Sequence, residues 1–256
     1  IFLWSGLFFR SITQSEPLAV AGAIAVFLPA QLMWEAQRNL SHTVLAAMVA
    51  AWFFYWVSRL IREKSPDQSL FAYAILGLVI TGGLLSKYNM AAVFVFTFIS
   101  VVAVPSLRSR LRLSGVVLAV VIPVVLCAPH AVWAIEHLPE IGEAMRSKFS
   151  PAAAQGLSPV GLIVLGTKEF ALGVLGYVAL PLLVWGGVII WCRRRALRSQ
   201  LSELEGGVEL PSDFHRFVRA GRVYLVLFML MGLGMIVFGQ VSQFRDRWFT
   251  PFLFLL

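Results

Sequence analysis

Seven long apolar runs restrict this chain to very few folds. They cover residues 17–33, 43–60, 69–86, 89–105, 114–133, 169–192 and 223–241, with shorter apolar stretches at 1–9 and 251–256. A membrane-spanning helix needs about 20 apolar residues, and backbone polar groups in hydrocarbon must bond internally, in helices or closed barrels. The runs are too long for barrel strands and do not alternate. We therefore predict an all-α, polytopic transmembrane helical bundle of about seven complete helices and two partial ones.

Composition excludes an ordinary soluble domain. Charged residues make up 13% of the chain, against roughly a quarter in soluble proteins, and the mean hydropathy is +0.82. The net charge of +8 does not indicate nucleic-acid binding, because the basic residues lie in short loops between apolar runs. Cys127 and Cys192 lack metal-like spacing. We expect no metal, no cofactor and no nucleic acid.

The distribution of Lys and Arg predicts the orientation. One set of alternate loops (10–16, 59–68, 106–113 and 193–222) holds 14 of these residues, and the other set holds 7. Basic residues favour the cytoplasmic side, so the first set is predicted to be the inner one. Its arginines are expected to act as membrane anchors. The protein is expected in a bacterial inner (plasma) membrane, with its active face periplasmic or extracellular.

We expect one transmembrane domain over 1–256, with a long outer loop, 136–168, and a basic inner loop, 193–222. Within the outer loop, the apolar stretch 160–165 is too short to span and is expected to form a re-entrant or surface helix. The run 1–9 is only half a span, so the chain is expected to be a piece of a longer protein that lacks the N-terminal helices. Glycines inside spans, such as Gly83 and Gly173, predict close helix packing.

Four polar segments on the predicted outer face are candidates for chemistry. In the first, His42 lies where a span begins, and helix N-termini favour anions; Arg38 precedes it. In the second, Lys87 and Tyr88 occupy a hairpin between two spans, where Lys87 either reaches the surface or binds a phosphate oxygen.

The third and fourth segments add further polar side chains. His130 follows Pro129 near the outer end of a span, and Arg245 and Arg247 flank Asp246 before the final apolar stretch. Interfacial anchoring, helix capping and a salt-bridged loop are the structural alternatives to function in these segments. Together the cations and histidines predict an outer pocket for an anionic lipid headgroup.

Several of these stretches resemble glycosyltransferase family 39, the GT-C group that includes protein mannosyltransferases and, more distantly, the aminoarabinose transferase of lipid A. The resembling stretches run in order along most of the chain: FLPAQLMWEAQRNLSHTVLA at 27–46, GLLSKYN at 83–89, APHAVW at 128–133 and FRDRWFTPFLFLL at 244–256.

The resemblance implies a membrane enzyme that moves a sugar, with inversion, from a polyprenyl-phosphate donor to an extracytoplasmic acceptor: a lipid, a glycan or a protein. It makes Lys87, Arg245 and Arg247 candidates for the donor phosphate, and Arg38 and His42 candidates for the donor or acceptor pocket. Tyr88 and His130 complete the predicted substrate-binding set. The family's catalytic carboxylate lies in its first outer loop, which is expected to precede this chain, and His42 stands where many relatives have an Asp.

Two other functions remain open at this stage. One is a transporter or flippase of an anionic lipid-linked substrate, although such proteins often show internal repeats and none is evident in this sequence. The other is a membrane scaffold without chemistry, whose outer loops would tolerate alanine substitution.

Overall fold

A computed structural model describes residues 1–26, 42–62, 69–149, 157–198, 212–238, 241–244 and 249–253. Within these ranges the regular structure is entirely helical. In chain order the helices are α1 Phe2–Thr13, α2 Glu16–Ala25, α3 His42–Leu60, α4 Leu70–Ser86, α5 Met90–Ala103, α6 Pro105–Arg108, α7 Leu113–Glu136, α8 Leu138–Phe149, α9 Pro159–Arg198, α10 Ser212–Val237 and α11 Thr250–Leu253. The predicted all-α bundle is confirmed.

Most apolar helices correspond to the predicted spans, but the apolar segment of α9, Pro159–Ala179, begins ten residues before the predicted span 169–192. Among the described residues, four segments are long and apolar enough to cross a membrane: His42–Leu60, Leu113–Glu136, Pro159–Ala179 and Asp213–Val237. The helices α2, α4 and α5 are equally apolar but shorter. Of the predicted span 17–33, residues 27–33 lie outside the described ranges.

The long outer and inner loops are shorter in the structure than the sequence predicted. Residues 160–165 are not a separate surface helix, because α9 is continuous from Pro159 to Arg198 and contains them in its first turns. An amphipathic helix does lie in the outer segment, but it is α8, Leu138–Phe149. At the inner side, α9 extends to Arg198 and α10 begins at Ser212, so both helices reach into the predicted loop 193–222. Helix formation satisfies the backbone polar groups near the membrane as well as within it.

Glycines allow close helix contacts at some of the predicted positions. A Cβ added at Gly83 or Gly173 would collide with the ring of Phe94 or Phe249, respectively. Helices can approach closely where such small residues face a neighbour. A Cβ at Gly176, by contrast, would meet nothing within 4 Å, so that glycine is not explained by close packing.

The loops assigned to one side meet at one end of the bundle. At the inner end, the hydroxyl oxygens of Ser11 and Ser58 are 2.5 Å apart, and Arg110 donates to the carbonyl oxygen of Ile61 at 2.7 Å. At the outer end, Lys87 contacts Thr43. The predicted alternation of loops between the two ends therefore agrees with the contacts.

Arg110 corrects the expectation that the inner arginines serve only as anchors. Its guanidinium is 3.0 Å from the carboxylate of Asp213, and the side chains are only 12% and 11% exposed. Arg216 is also 3.0 Å from that carboxylate. Arg110, in the loop before α7, thus contacts both Ile61 at the end of α3 and Asp213 at the start of α10. One arginine can make both contacts because its guanidinium carries several donors in a fixed geometry.

Candidate functional site

The hairpin between α4 and α5 holds Lys87 in a defined position. The Lys87 amide donates to the carbonyl of Gly83 at 3.0 Å and so ends α4, and the Lys87 carbonyl accepts from the Met90 amide at 3.0 Å as α5 begins. Ser86 is buried, and its hydroxyl donates to the same Gly83 carbonyl at 2.8 Å. Hydrogen bonds from the Lys87 amide and to the Lys87 carbonyl hold this part of the backbone in place, and they therefore set where the Lys87 side chain begins.

The side chain of Lys87 reaches the first turn of α3. Its ammonium nitrogen lies 3.4 Å from the hydroxyl oxygen of Thr43, which is 4% exposed. The first backbone N–H groups of a helix lack intrahelical partners and carry a partial positive charge. A lysine beside such a terminus creates a place that favours an anion.

Tyr88 and His130 also meet at the outer end of the bundle. The hydroxyl of Tyr88 is 2.9 Å from Nε2 of His130, and the two rings are nearly parallel. His130 also stacks on Trp133, and Trp133 stacks on His137. We call Tyr88, His130, Trp133 and His137 the aromatic column.

The remaining predicted site residues are less completely placed. His42 is the first residue of α3 and is exposed, directly before Thr43. Arg38, Arg245 and Arg247 lie outside the described residues. The structure thus brings Lys87 to the start of α3 and brings Tyr88 to His130.

An apolar groove of about 550 Å³ runs along the bundle below the hairpin, between α3, α4, α5 and α7. Ile61 and Leu111 line its inner part, and Leu84, Cys127 and Ala131 line its outer part. Its walls are almost wholly apolar. Because Leu84 and Ala131 belong to the outer ends of α4 and α7, the groove extends toward the level of the hairpin.

Thr43 is not among the candidates that the sequence offers, whereas Trp133 and His137 belong to the same polar segment as His130 and have no predicted site role. The spacing of residues 130, 133 and 137 places side chains on one face of a helix, and that pattern is readable in the sequence. No local pattern signals the contact between Lys87 and Thr43, because it joins two elements 44 residues apart. In the described ranges no group of three or more His, Cys, Asp or Glu side chains is arranged to hold a metal ion.

Two curated relatives match the chain over its whole length. The lipopolysaccharide core galacturonosyltransferase RgtA of Rhizobium johnstonii is 28% identical over 258 residues, which covers 100% of this chain and 47% of the relative. RgtB of the same organism, also a lipopolysaccharide core galacturonosyltransferase, is 29% identical over 255 residues, covering 100% of this chain and 48% of that relative. The chain thus spans about half the length of these relatives, and no solved structure matches it.

A family model matches the part of the chain that contains the hairpin and most of the aromatic column. The model is that of dolichyl-phosphate-mannose-protein mannosyltransferase, and it covers residues 3–133, about half of the chain. The helical membrane bundle and the ordered sequence stretches agree with this match. The chain therefore belongs to the dolichyl-phosphate-mannose-protein mannosyltransferase family, a group of GT-C-type membrane glycosyltransferases.

Proposed function

We propose that this chain is part of a membrane glycosyltransferase that moves a sugar from a polyprenyl-phosphate donor to an extracytoplasmic acceptor. Family membership supports the reaction class. The names of both relatives support a sugar transfer to the lipopolysaccharide core, and galacturonic acid is the sugar that those names suggest. The acceptor class is accordingly a glycan on a membrane lipid.

The placement of Lys87 at the start of α3 is the observation that carries this proposal. The donor phosphate would lie between the Lys87 ammonium and the N–H groups of the first turn of α3, close to Thr43 and His42. Both features favour negative charge, and a lysine binds phosphate as a point charge. We assign Arg38, Arg245 and Arg247 to the same phosphate or to its sugar.

The apolar groove suits the polyprenyl part of the donor. A binding site for such an amphiphile needs a long apolar surface with a cationic group at one end. The groove offers Ile61 and Leu111 far from the hairpin, and Leu84 and Ala131 near it. With the tail in the groove, the phosphate would lie at the level of Lys87.

The chemistry follows from the position of the cation. The acceptor hydroxyl oxygen forms a bond to the anomeric carbon while the bond from that carbon to the phosphate oxygen breaks, and the phosphate keeps the electron pair. A general base takes the hydroxyl proton. Charge develops on the phosphate oxygen in the transition state, so a positioned ammonium there stabilises the transition state more than the ground state.

The same arrangement predicts the side of the reaction. Lys87, His42, Tyr88 and His130 belong to the end of the bundle with few basic loops, and basic loops favour the cytoplasm. We therefore assign the site to the periplasmic or extracellular face of a bacterial inner membrane.

The test uses the full-length protein in liposomes, with radiolabelled polyprenyl-phosphate galacturonic acid as donor and lipopolysaccharide core as acceptor. We expect a labelled core from the wild type, and a rate about a hundredfold lower for Lys87→Gln, the usual cost of losing one electrostatic stabiliser. Lys87→Arg should retain part of the rate because the charge remains. Lys168→Gln is the matched control, because Lys168 is an exposed cation on α9.

Three results would overturn parts of the proposal. If the wild type produces no labelled core, the donor and reaction assignments fail. If labelled lipid crosses the bilayer without a new covalent product, the protein is a transporter. If Lys87→Gln is as active as the wild type, the phosphate site is elsewhere.

A further inference from the structure

The aromatic column is a partly exposed surface at the end of the bundle that the sequence assigns to the outer side. Successive ring centroids are 5.7 Å apart from Tyr88 to His130, 5.7 Å from His130 to Trp133 and 4.7 Å from Trp133 to His137. The interplanar angles are 11°, 15° and 22°. Tyr88 is 62% exposed and Trp133 is 47% exposed, so the column is not part of the bundle core.

Local structure holds the rings in place. His130 and Trp133 lie on the last turns of α7, and His137 is the residue that ends this helix. The Trp133 carbonyl oxygen accepts the His137 amide at 3.2 Å and lies 2.8 Å from Nδ1 of His137. Tyr88 joins from the hairpin through its hydroxyl. A preorganised surface loses little conformational entropy when a ligand binds.

Two imidazoles distinguish the column from a simple membrane anchor. Interfacial belts consist of Trp and Tyr side chains at the headgroup level, whereas here two histidines alternate with the tyrosine and the tryptophan. Imidazole, indole and phenol edges supply hydrogen-bonding groups, and the rings supply apolar surface. Glu136 and Glu140, both exposed, are close to His137 in the chain and add carboxylate acceptors.

This combination fits a sugar ring. A pyranose has a face of C–H groups that can lie along the exposed ring edges of the column, since His130 and His137 flank Trp133 on its two faces. Its hydroxyls bond to carboxylates and imidazoles. A bare anionic headgroup would not use the apolar ring surface, and it would be repelled by Glu136 and Glu140. The charge and shape therefore favour a polyhydroxylated glycan.

We propose that the aromatic column binds the acceptor glycan, with Trp133 as the main sugar-contacting residue and His130 and His137 as hydrogen-bonding partners. This inference rests on the proposed function, because it gives the acceptor a place beside the donor. Tyr88 directly follows Lys87 in the hairpin, so a glycan on the column would lie next to the donor phosphate. The column thus contributes to acceptor affinity and leaves donor binding to Lys87 and the groove.

The first test is direct binding, which needs no turnover. Core oligosaccharide released from lipopolysaccharide is titrated into the full-length protein in nanodiscs and followed by saturation-transfer NMR. We expect Trp133→Leu to weaken binding about tenfold, the factor that a loss of about 1.4 kcal/mol of ring contact produces. Trp133→Phe should recover part of the affinity. Phe238→Leu is the control, since Phe238 is an aromatic residue just after α10 and is 89% exposed.

The second test separates acceptor binding from structure. In the transfer assay, Trp133→Leu should raise the KM for the core about tenfold while the KM for the donor stays unchanged. A merely interfacial Trp would instead alter expression or both KM values together. The proposal fails if the wild type does not bind the oligosaccharide, if Trp133→Leu binds it as tightly as the wild type, or if Phe238→Leu weakens binding equally.

The two proposals can fail separately. Oligosaccharide binding that depends on Trp133, without any sugar transfer, would overturn the proposed reaction and keep the column as a glycan site. Sugar transfer that is insensitive to Trp133 in both KM and binding would keep the transferase and overturn the column.

Discussion

The ammonium nitrogen of Lys87 lies 3.4 Å from the hydroxyl oxygen of Thr43, and this contact joins the α4–α5 hairpin to the first turn of α3. Thr43 is almost fully buried, whereas its neighbour His42 is exposed. The buried hydroxyl can therefore hold the lysine beside the first turn of α3. Under the proposed function, Thr43 would be a positioning residue for Lys87.

Replacing Thr43 should lower turnover more than it changes donor binding, because Thr43 acts through Lys87, whose charge is proposed to stabilise the transition state. Thr43→Val keeps the shape of the side chain and removes the oxygen, so we expect kcat to fall about fivefold, near the effect of one hydrogen bond. Thr43→Ser should restore the wild-type value. Steady-state transfer kinetics of the full-length protein measure this, and an unchanged kcat in Thr43→Val would contradict the positioning role.

Filling the apolar groove should also weaken donor binding. Cys127 lines the groove near its outer part, and Leu126, the preceding residue on α7, does not line it and is 50% exposed. We expect Cys127→Trp to raise the KM for the polyprenyl donor several-fold, because the added ring occupies space needed by the tail. Leu126→Trp is the matched control. Equal kinetics for the two variants would show that the tail lies elsewhere.

The cluster around Asp213 should matter for stability rather than for sugar transfer. Asp213→Asn leaves Arg110 and Arg216 without their nearly buried counter-charge, which typically costs about 3 kcal/mol. We expect a clearly lower unfolding temperature in detergent, followed by tryptophan fluorescence. The ion pair between Arg10 and Glu16 is a control, because its side chains are 62% and 76% exposed and such pairs contribute little. A similar unfolding temperature for Asp213→Asn and Glu16→Gln would refute this assignment.

Sidedness can be tested with a matched pair of serines. Ser158 lies just before α9 at the outer end, and Ser109 lies just before α7 at the inner end; both are exposed. In right-side-out vesicles, and with Cys127 and Cys192 replaced by serine, we expect Ser158→Cys to react with an impermeant maleimide. Ser109→Cys should react only after the membrane is permeabilised. The reverse pattern would place the hairpin and the column in the cytoplasm.

The apolar patterning of the chain is enough to predict a helical membrane bundle. Long apolar runs such as 114–133 must satisfy their backbone groups internally, so α7 and most other helices follow closely from the sequence. The alternation of basic loops also predicted which polar segments share an end, and Lys87 and Thr43 do meet there. These predictions succeed because they depend on local composition and on the solvent, not on which helix packs beside which.

The contacts between distant side chains depend on how the helices pack. Tyr88 and His130 are 42 residues apart, and Arg110 and Asp213 are 103 apart. No local pattern specifies such pairs, because they depend on helix packing over the whole bundle, including close approaches such as Gly173 against Phe249. For that reason Lys87 and the spacing of His130, Trp133 and His137 were visible in the sequence. The contact of Lys87 with Thr43, the contact of Tyr88 with His130 and the pairing of Arg110 with Asp213 appeared only when the helices were packed together.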